Sequence, residues 1–315
     1  MAKIVTITNP LTGQPAQVDQ LDHTAQQIDD GLNIARGVSN PNLLDNWYFG
    51  NPVNQRGQTS YTGAGYGIDR WKGYDSGQVV LIYNDHISIK HGANNGIIEF
   101  FDNDYFAILS NKTLTLSYLL MNNILLVHTF TTGSTKGWYP KEIDGHKIEF
   151  GHTETPYVMI TSANDIDVKA AKLEMGTTQT LAHKDDNGNW QLNEIPDYGD
   201  HLARCKRVYQ RISSSGLIVL RQSNIADKFV IIKSFEVEMA GTPKLNLIKP
   251  ITVFTPITSS LFQGTAIDGY VTNSKGIQYA KIVSSVDLSN VQAGFVGYVD
   301  NNDDVIEAYV EGLGG

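Results

Sequence analysis

From Thr113 to Leu119 the chain reads Thr-Leu-Thr-Leu-Ser-Tyr-Leu, polar and apolar residues alternating as far as Tyr118. Side chains of an extended strand point to opposite faces in turn, so this run buries one face and leaves the other free. Further short runs follow one another between residues 79 and 175. They are Val79–Tyr83, Ile87–Lys90, Gly96–Phe101, Ile124–Phe130, Lys147–Phe150, Tyr157–Ser162 and Ile166–Met175. Asn94-Asn95-Gly96, Met121-Asn122-Asn123 and Asp144-Gly145 punctuate them with residues suited to tight turns. Short strands at such spacing predict a mainly β protein with a sandwich of jelly-roll type over 41–182.

The flanks have other periods. Lys3–Thr8 reads as a strand, and residues 1–40 are expected to form an attachment segment. Val18, Leu21, Ala25, Ile28, Leu32 and Ala35 alternate spacings of three and four, the seam of a short coiled coil and a candidate oligomerisation surface. Pro15 suits the start of that helix and Gly37 its end. So few heptads cannot hold an oligomer unaided.

Residues 183–214 are expected to be a loop, His183 to Trp190, and a linking helix. Tyr198, Leu202, Cys205, Tyr209 and Ile212 supply the helical stripe, and Arg204, Lys206, Arg207 and Arg211 its solvated or charge-balancing faces. From 215 to 315 the pattern is β again and predicts a second β-rich domain at the tip. Its runs are Leu217–Leu220, Lys228–Met239, Ile251–Phe254, Ala266–Val271, Ile277–Val283, Phe295–Val299 and Val305–Val310. Phe235–Met239 alternates like a half-buried strand, and Val299–Val305 reads as a hairpin tip.

Several function classes are excluded or disfavoured. The 315 residues carry a net charge of −9, which disfavours nucleic acid and anionic membrane as partners. The one cysteine, Cys205, excludes an intrachain disulfide and sits where a packed core thiol would. Leu114–Phe130 is the most apolar stretch, but Asn122, Asn123 and His128 break it, so no membrane insertion is expected. No phosphate-cradling loop, dinucleotide fingerprint, HExxH or GxSxG occurs. The pairs His146/His152 and His86/His91 lack a third ligand, so neither metal nor cofactor is implied. Asp185, Asn187 and Gly188 resemble the start of a calcium loop, but its closing Glu is missing and an Asn-Gly turn is the better reading. Glu142/Asp144 and Asp102/Asp104 are carboxylate pairs by proximity alone, which keeps a glycan depolymerase as an alternative.

The aromatics carry the most chemistry. Asn42–Trp71, NLLDNWYFGNPVNQRGQTSYTGAGYGIDRW, concentrates Trp47, Tyr48, Phe49, Tyr61, Tyr66 and Trp71 among five glycines. Indoles tend to be buried, so Trp47 and Trp71 read as core plugs. Tyr61, Tyr66, Trp138 and Tyr139, with Arg56, are the candidate carbohydrate-binding residues, because aromatic faces suit the apolar side of a pyranose. Asn46, Asn51, Asn54, Gln55 and Asp69 would serve its hydroxyls. Gly133, Gly137 and the threonines between 131 and 135 predict a flexible, exposed loop around Trp138.

The same stretch carries a resemblance. Asn42-Leu43-Leu44, Asn54-Gln55-Arg56-Gly57 and Tyr66-Gly67-Ile68-Asp69-Arg70-Trp71 are similar, in this order, to a recurrent segment of phage and prophage tail-fibre or head-fibre proteins. Ala171–Gly176, Tyr198–Tyr209 and Phe235–Pro243 continue the likeness, which covers residues 40–243. It departs at Val208, where an aromatic is expected, and at the loop 183–190. The resemblance implies a non-enzymatic virion protein assembled in the host cytoplasm. It also implies a homotrimer that meets other virion proteins through its N-terminal part and recognises a host-surface glycan or protein. A purely structural head or tail decoration is the alternative of a different class.

Overall fold

The computed structural model describes residues 3–8, 15–20, 40–215, 217–221, 227–255, 260–288, 296–299 and 303–314. Lys3–Thr8 (β1) is the expected strand. Pro15–Gln20 (β2) pairs antiparallel with it, Thr8 opposite Pro15 and Lys3 opposite Gln20. This corrects the helix start at Pro15: Val18 lies in β2, opposite Val5. Leu21, Ala25, Ile28, Leu32 and Ala35 lie outside the described residues, so the coiled-coil helix has no structural support.

The next strands are Ser60–Thr62 (β3), Trp71–Gly73 (β4), Val79–Ile82 (β5), Ile87–Lys90 (β6) and Asn95–Phe100 (β7). A one-turn helix, Tyr105–Ile108 (α1), precedes Thr113–Leu120 (β8), Leu125–Thr131 (β9), Gly137–Ile143 (β10), His146–His152 (β11), Tyr157–Ser162 (β12) and Ile166–Met175 (β13). They build two antiparallel sheets, one ordered β10-β11-β12-β7-β4 and the other β3-β5-β6-β13-β8-β9. The alternating run is β8, paired with β9 from Thr113 to Leu119 and with β13 from Leu114 to Leu120; its residues from Leu114 on are buried on both faces, which corrects the expected free face. Its Leu114, Leu116 and Tyr118 join Ile148, Phe150, Val158 and Ile160 of the facing sheet in one core. The turn residues behave as their chemistry dictates: Asp144 and Gly145 both adopt positive φ, 50° and 77°, as a two-residue hairpin turn requires.

Asn42–Trp71 closes this sandwich. Beyond Val168, β13 loses its partner β6, and Leu43–Phe49 takes over the freed edge. Asn42 fastens the start, its side chain bonding Ala171 O and Leu173 N. Trp47 and Trp71 are 3% and 1% exposed, plugs of the core as their type suggests.

The stretch expected to be a loop is partly a hairpin, Ala182–Lys184 (β14) with Trp190–Leu192 (β15). The segment 177–194 lies against the outward face of the six-stranded sheet. Glu174 there accepts from Thr180 N and Oγ1 at 2.7 and 2.6 Å, and Lys172 meets Glu194 at 3.3 Å. Asp185–Gly188 is the Asn-Gly turn, with Asp185 Oδ1 accepting from the backbone of Asn187 and Asn189.

The linking helix is shorter than its stripe suggested. Tyr198–Lys206 (α2) is capped by Asp197, whose side chain accepts from Asp200 N. Cys205 is buried in it, and burial pushes its thiol pKa well up. Tyr209 and Ile212 belong instead to strand Tyr209–Ser213 (β16).

The remaining strands are Ile218–Arg221 (β17), Lys228–Ser234 (β18), Lys244–Leu247 (β19), Ile251–Thr255 (β20), Ser260–Asn273 (β21), Gly276–Ser284 (β22), Val296–Val299 (β23) and Asp304–Tyr309 (β24). Six of them close a barrel, β17-β18-β22-β21-β20-β23, around Phe229, Ile231, Val253 and Ile282, and a three-stranded sheet β16-β24-β19 adjoins it. Two expectations are corrected here. Phe235–Met239 alternates in burial but lies beyond the end of β18. The strands that flank the expected hairpin tip Val299–Val305 do not pair with each other: β23 pairs with β17 and β20, and β24 with β16 and β19.

Candidate functional site

The five candidate carbohydrate-binding residues fall into two places, and only one of them faces solvent. Arg56, Tyr61 and Tyr66 belong to a joint. Gln55 Nε2 donates to Asp69 Oδ2 at 2.6 Å and to Tyr209 O at 2.9 Å. The Arg56 guanidinium lies 3.8 Å above the Tyr209 ring, 3.6 Å from Asp69, and donates to Gly314 O at 2.7 Å. Tyr66 OH donates to Gly312 O at 2.6 Å, and Arg70 Nη1 to Leu313 O at 3.2 Å. Arg211 returns the contact through the carbonyls of Gln55 and Arg56. Tyr61 packs under Gly67, and its hydroxyl bonds the Asn54 side chain. The motif residues of Asn54–Trp71 therefore join the sandwich to the sheet β16-β24-β19.

The joint is electrostatically tense. Asp69 is fully buried, and burial pushes its pKa up to about 6, against the Gln55 hydrogen bond and the charge of Arg56. Glu99, also fully buried, is raised by burial against the opposing charge of Arg70. Arg70 holds φ 72°, a left-handed conformation that costs a side chain on the order of 1 kcal/mol or more. Asp45 at 3.2 Å, Glu99 at 3.4 Å and Phe100 O at 2.7 Å fix it there. Arg204 reaches Asp45 at 2.6 Å and Lys206 pairs with Glu236, so this basic face balances acids.

Trp138 and Tyr139 are strand residues of β10, not a loop, and they part company. Tyr139 turns inward: its ring stacks 5.2 Å from Phe130 and its hydroxyl accepts from Gly133 N. Trp138 turns outward and is 68% exposed. Pairing runs Trp138–Gly151–Tyr157–Phe100 across four strands, with Glu149 and Met159 in the next outward row and Lys147 and Thr161 in the one after.

The outward hydrogen bonds stay within the sheet. Trp138 Nε1 donates to Glu149 Oε1 at 2.7 Å and to Tyr157 OH at 2.6 Å, and Tyr157 OH donates to the same Glu149 oxygen at 2.6 Å. Lys147 Nζ neutralises Glu149 Oε2 at 2.6 Å and lies 5.7 Å from the indole. Burial and the Glu149 hydrogen bond both raise the Tyr157 pKa, so its hydroxyl keeps its proton. Gly151 is required because a Cβ there would enter the Tyr157 ring. Tyr74, 48% exposed, adds a further ring at the opposite edge, where its N–H bonds Gly96 O.

The outward face continues into a cleft of about 400 Å³ at the β10–β11 turn, lined by Asn94, Glu142, Asp144, His146, Lys147 and Thr161. Burial lowers the His146 pKa, which keeps the ring neutral. The surface thus offers a fixed indole face beside a polar, partly acidic cleft, which suits stacking and hydrogen bonding. No group of three metal-ligating side chains occurs among the described residues.

Glu149, Tyr157, Gly151 and Lys147 were not singled out from the sequence. Their signal was present: with Ile148 and Phe150 taken as core, Lys147, Glu149 and Gly151 share the other face. What hid the site was β10 itself, whose Pro140, Lys141 and Glu142 break the apolar pattern, as befits an edge strand. Comparison with models of protein families, with curated proteins and with solved structures yields no match for the chain.

Proposed function

We propose that the chain is a non-enzymatic fibre protein of a phage virion that recognises a host cell surface through glycan, using the outward face of the five-stranded sheet. In this reading the two packed sheets form a jelly roll of carbohydrate-binding type. The observation that carries it is Trp138, an indole 68% exposed to solvent whose N–H is held by the buried Glu149 and by Tyr157. An exposed large apolar side chain normally keeps its rotamer freedom and loses it on binding. Here the fold has already removed that freedom, so a ligand meets a rigid platform. The motif order from Asn42 to Pro243 supplies the virion context.

Replacing Trp138 by Ala leaves the melting temperature within a few degrees of the parent, since little area is lost from the core, and weakens adsorption to host cells by about tenfold or more. Unchanged adsorption removes the sheet face from the reading. The expected homotrimer is checked separately by light scattering, in which a monomer at micromolar concentration would count against a fibre.

A further inference from the structure

We infer that the groove from Trp138 to the β10–β11 turn binds uncharged pyranose oligomers and turns anionic sugars away. This rests on glycan recognition at that face and adds the charge class and the length of the ligand.

The length follows from the strand. Trp138 and Glu142 are four residues apart on β10, which places them ~13 Å from each other along the sheet. That exceeds one sugar ring, so a ligand that stacks on the indole and also fills the cleft is an oligomer. The indole contributes only its face, because its N–H is already engaged twice. A ring face suits the C–H side of a pyranose and offers nothing to an anionic substituent, because its π cloud is itself negative.

The charge class follows from the far end of the groove. Lys147 lines the cleft, but its ammonium is taken by Glu149 at 2.6 Å. Glu142 and Asp144 line the same cleft and form no ion pair among the described residues. His146 contributes no positive charge, and its buried Nδ1 has no hydrogen-bond partner among the described residues. Two uncompensated carboxylates beside a neutral imidazole accept hydrogen bonds from sugar hydroxyls, and such charge-assisted bonds are the stronger kind. A uronate or phosphate in the same place would bring like charge against them, and among the described residues that line the cleft no free cation offsets it.

The test uses the full chain, its tryptophan fluorescence and titration calorimetry. The probes are hexamers of glucose and of N-acetylglucosamine, set against hexamers of galacturonic acid. At least one neutral hexamer is expected to bind about tenfold or more tighter than the galacturonate, with the fluorescence change lost in Trp138→Ala. In a Glu142→Gln/Asp144→Asn variant the discrimination should fall to about threefold or less. Both positions sit at a hairpin tip, and Asn tolerates the left-handed turn conformation at 144, so folding is preserved. Galacturonate binding as tightly as the neutral sugars, or a double variant that still discriminates, overturns the inference. If no hexamer binds while Trp138→Ala still abolishes adsorption, the charge class is wrong and surface recognition stands. If adsorption is indifferent to Trp138, recognition at this face fails as well.

Discussion

At the scale of single residues, the joint stores a cost that pH can relieve. Asp69 is surrounded by Gln55, Arg56 and protein, and its pKa near 6 lies above the 3.8 of a free carboxyl. The folded chain therefore holds this proton more tightly than the unfolded one. The stability that comes with the proton is complete below pH ~4 and is lost as pH rises through 6. Thermal melts from pH 4 to 8 should show the melting temperature falling across that window. Asp69→Asn should flatten the fall, which is worth on the order of 2–3 kcal/mol for a shift of this size. An unchanged slope in the variant would place the pH dependence elsewhere, Glu99 being the next candidate because burial raises it in the same direction. Sequence alone pointed to Asp69 as a ligand for sugar hydroxyls. An Asp between Ile68 and Arg70 looks the same whether it is solvated or enclosed, and only the distant Tyr209 and Gly314 decide which.

At the scale of elements, legibility follows local pattern. Thr113–Leu120, Tyr157–Ser162 and Ile166–Met175 match their expected limits because each alternates over six or more residues, or is buried on both faces between two partners. The three-residue strands β3, β4, β14 and β15 carry no period of their own and exist only through their partners. The stripe through Tyr209 and Ile212 misled for a related reason: two buried residues three apart fit a helix turn and also fit a strand buried on both faces. The register of β16 against β24 is regular from Tyr209 to Ile212, so the two side chains point to opposite faces. Half of the proposed recognition surface was legible as Trp138. The other half, Tyr157 and Glu149, depends on Gly151 lying between β10 and β12, a cross-strand fact. Gly151→Ala should displace the Tyr157 ring, release the indole and destabilise the fold by about 1–3 kcal/mol. The readout is a loss of adsorption comparable to that of Trp138→Ala together with a modestly lower melting temperature. Full adsorption would mean that the ring can move without consequence.

At the scale of the whole molecule, the sandwich and the β16-β24-β19 sheet are tied by few but directional contacts. Arg56, Tyr66 and Arg70 each spend a donor on one carbonyl of the turn Gly312–Gly314. Arg56→Ala removes one of these bonds, the stack on Tyr209 and the charge beside Asp69. Leaving a buried carboxylate without its partner costs about 3–5 kcal/mol. Calorimetry should then resolve two transitions where the parent shows one, and Arg56→Lys should restore little, because an ammonium cannot reproduce the fork. A single transition at the parent temperature would show that the two bodies are coupled by other contacts.

The turn Gly312–Gly314 also sets a timetable. Domains fold as they leave the ribosome, and residues emerge at roughly 5–20 per second. The sandwich is complete in sequence by Met175, yet the carbonyls that satisfy Arg56, Tyr66 and Arg70 are synthesised well over a hundred residues later. For that interval, on the order of ten seconds, a nascent sandwich presents three unsatisfied donors and the buried acids behind them. The joint closes only after the last barrel strand, Val296–Val299, has been made, so its closure is a checkpoint on the completeness of the barrel.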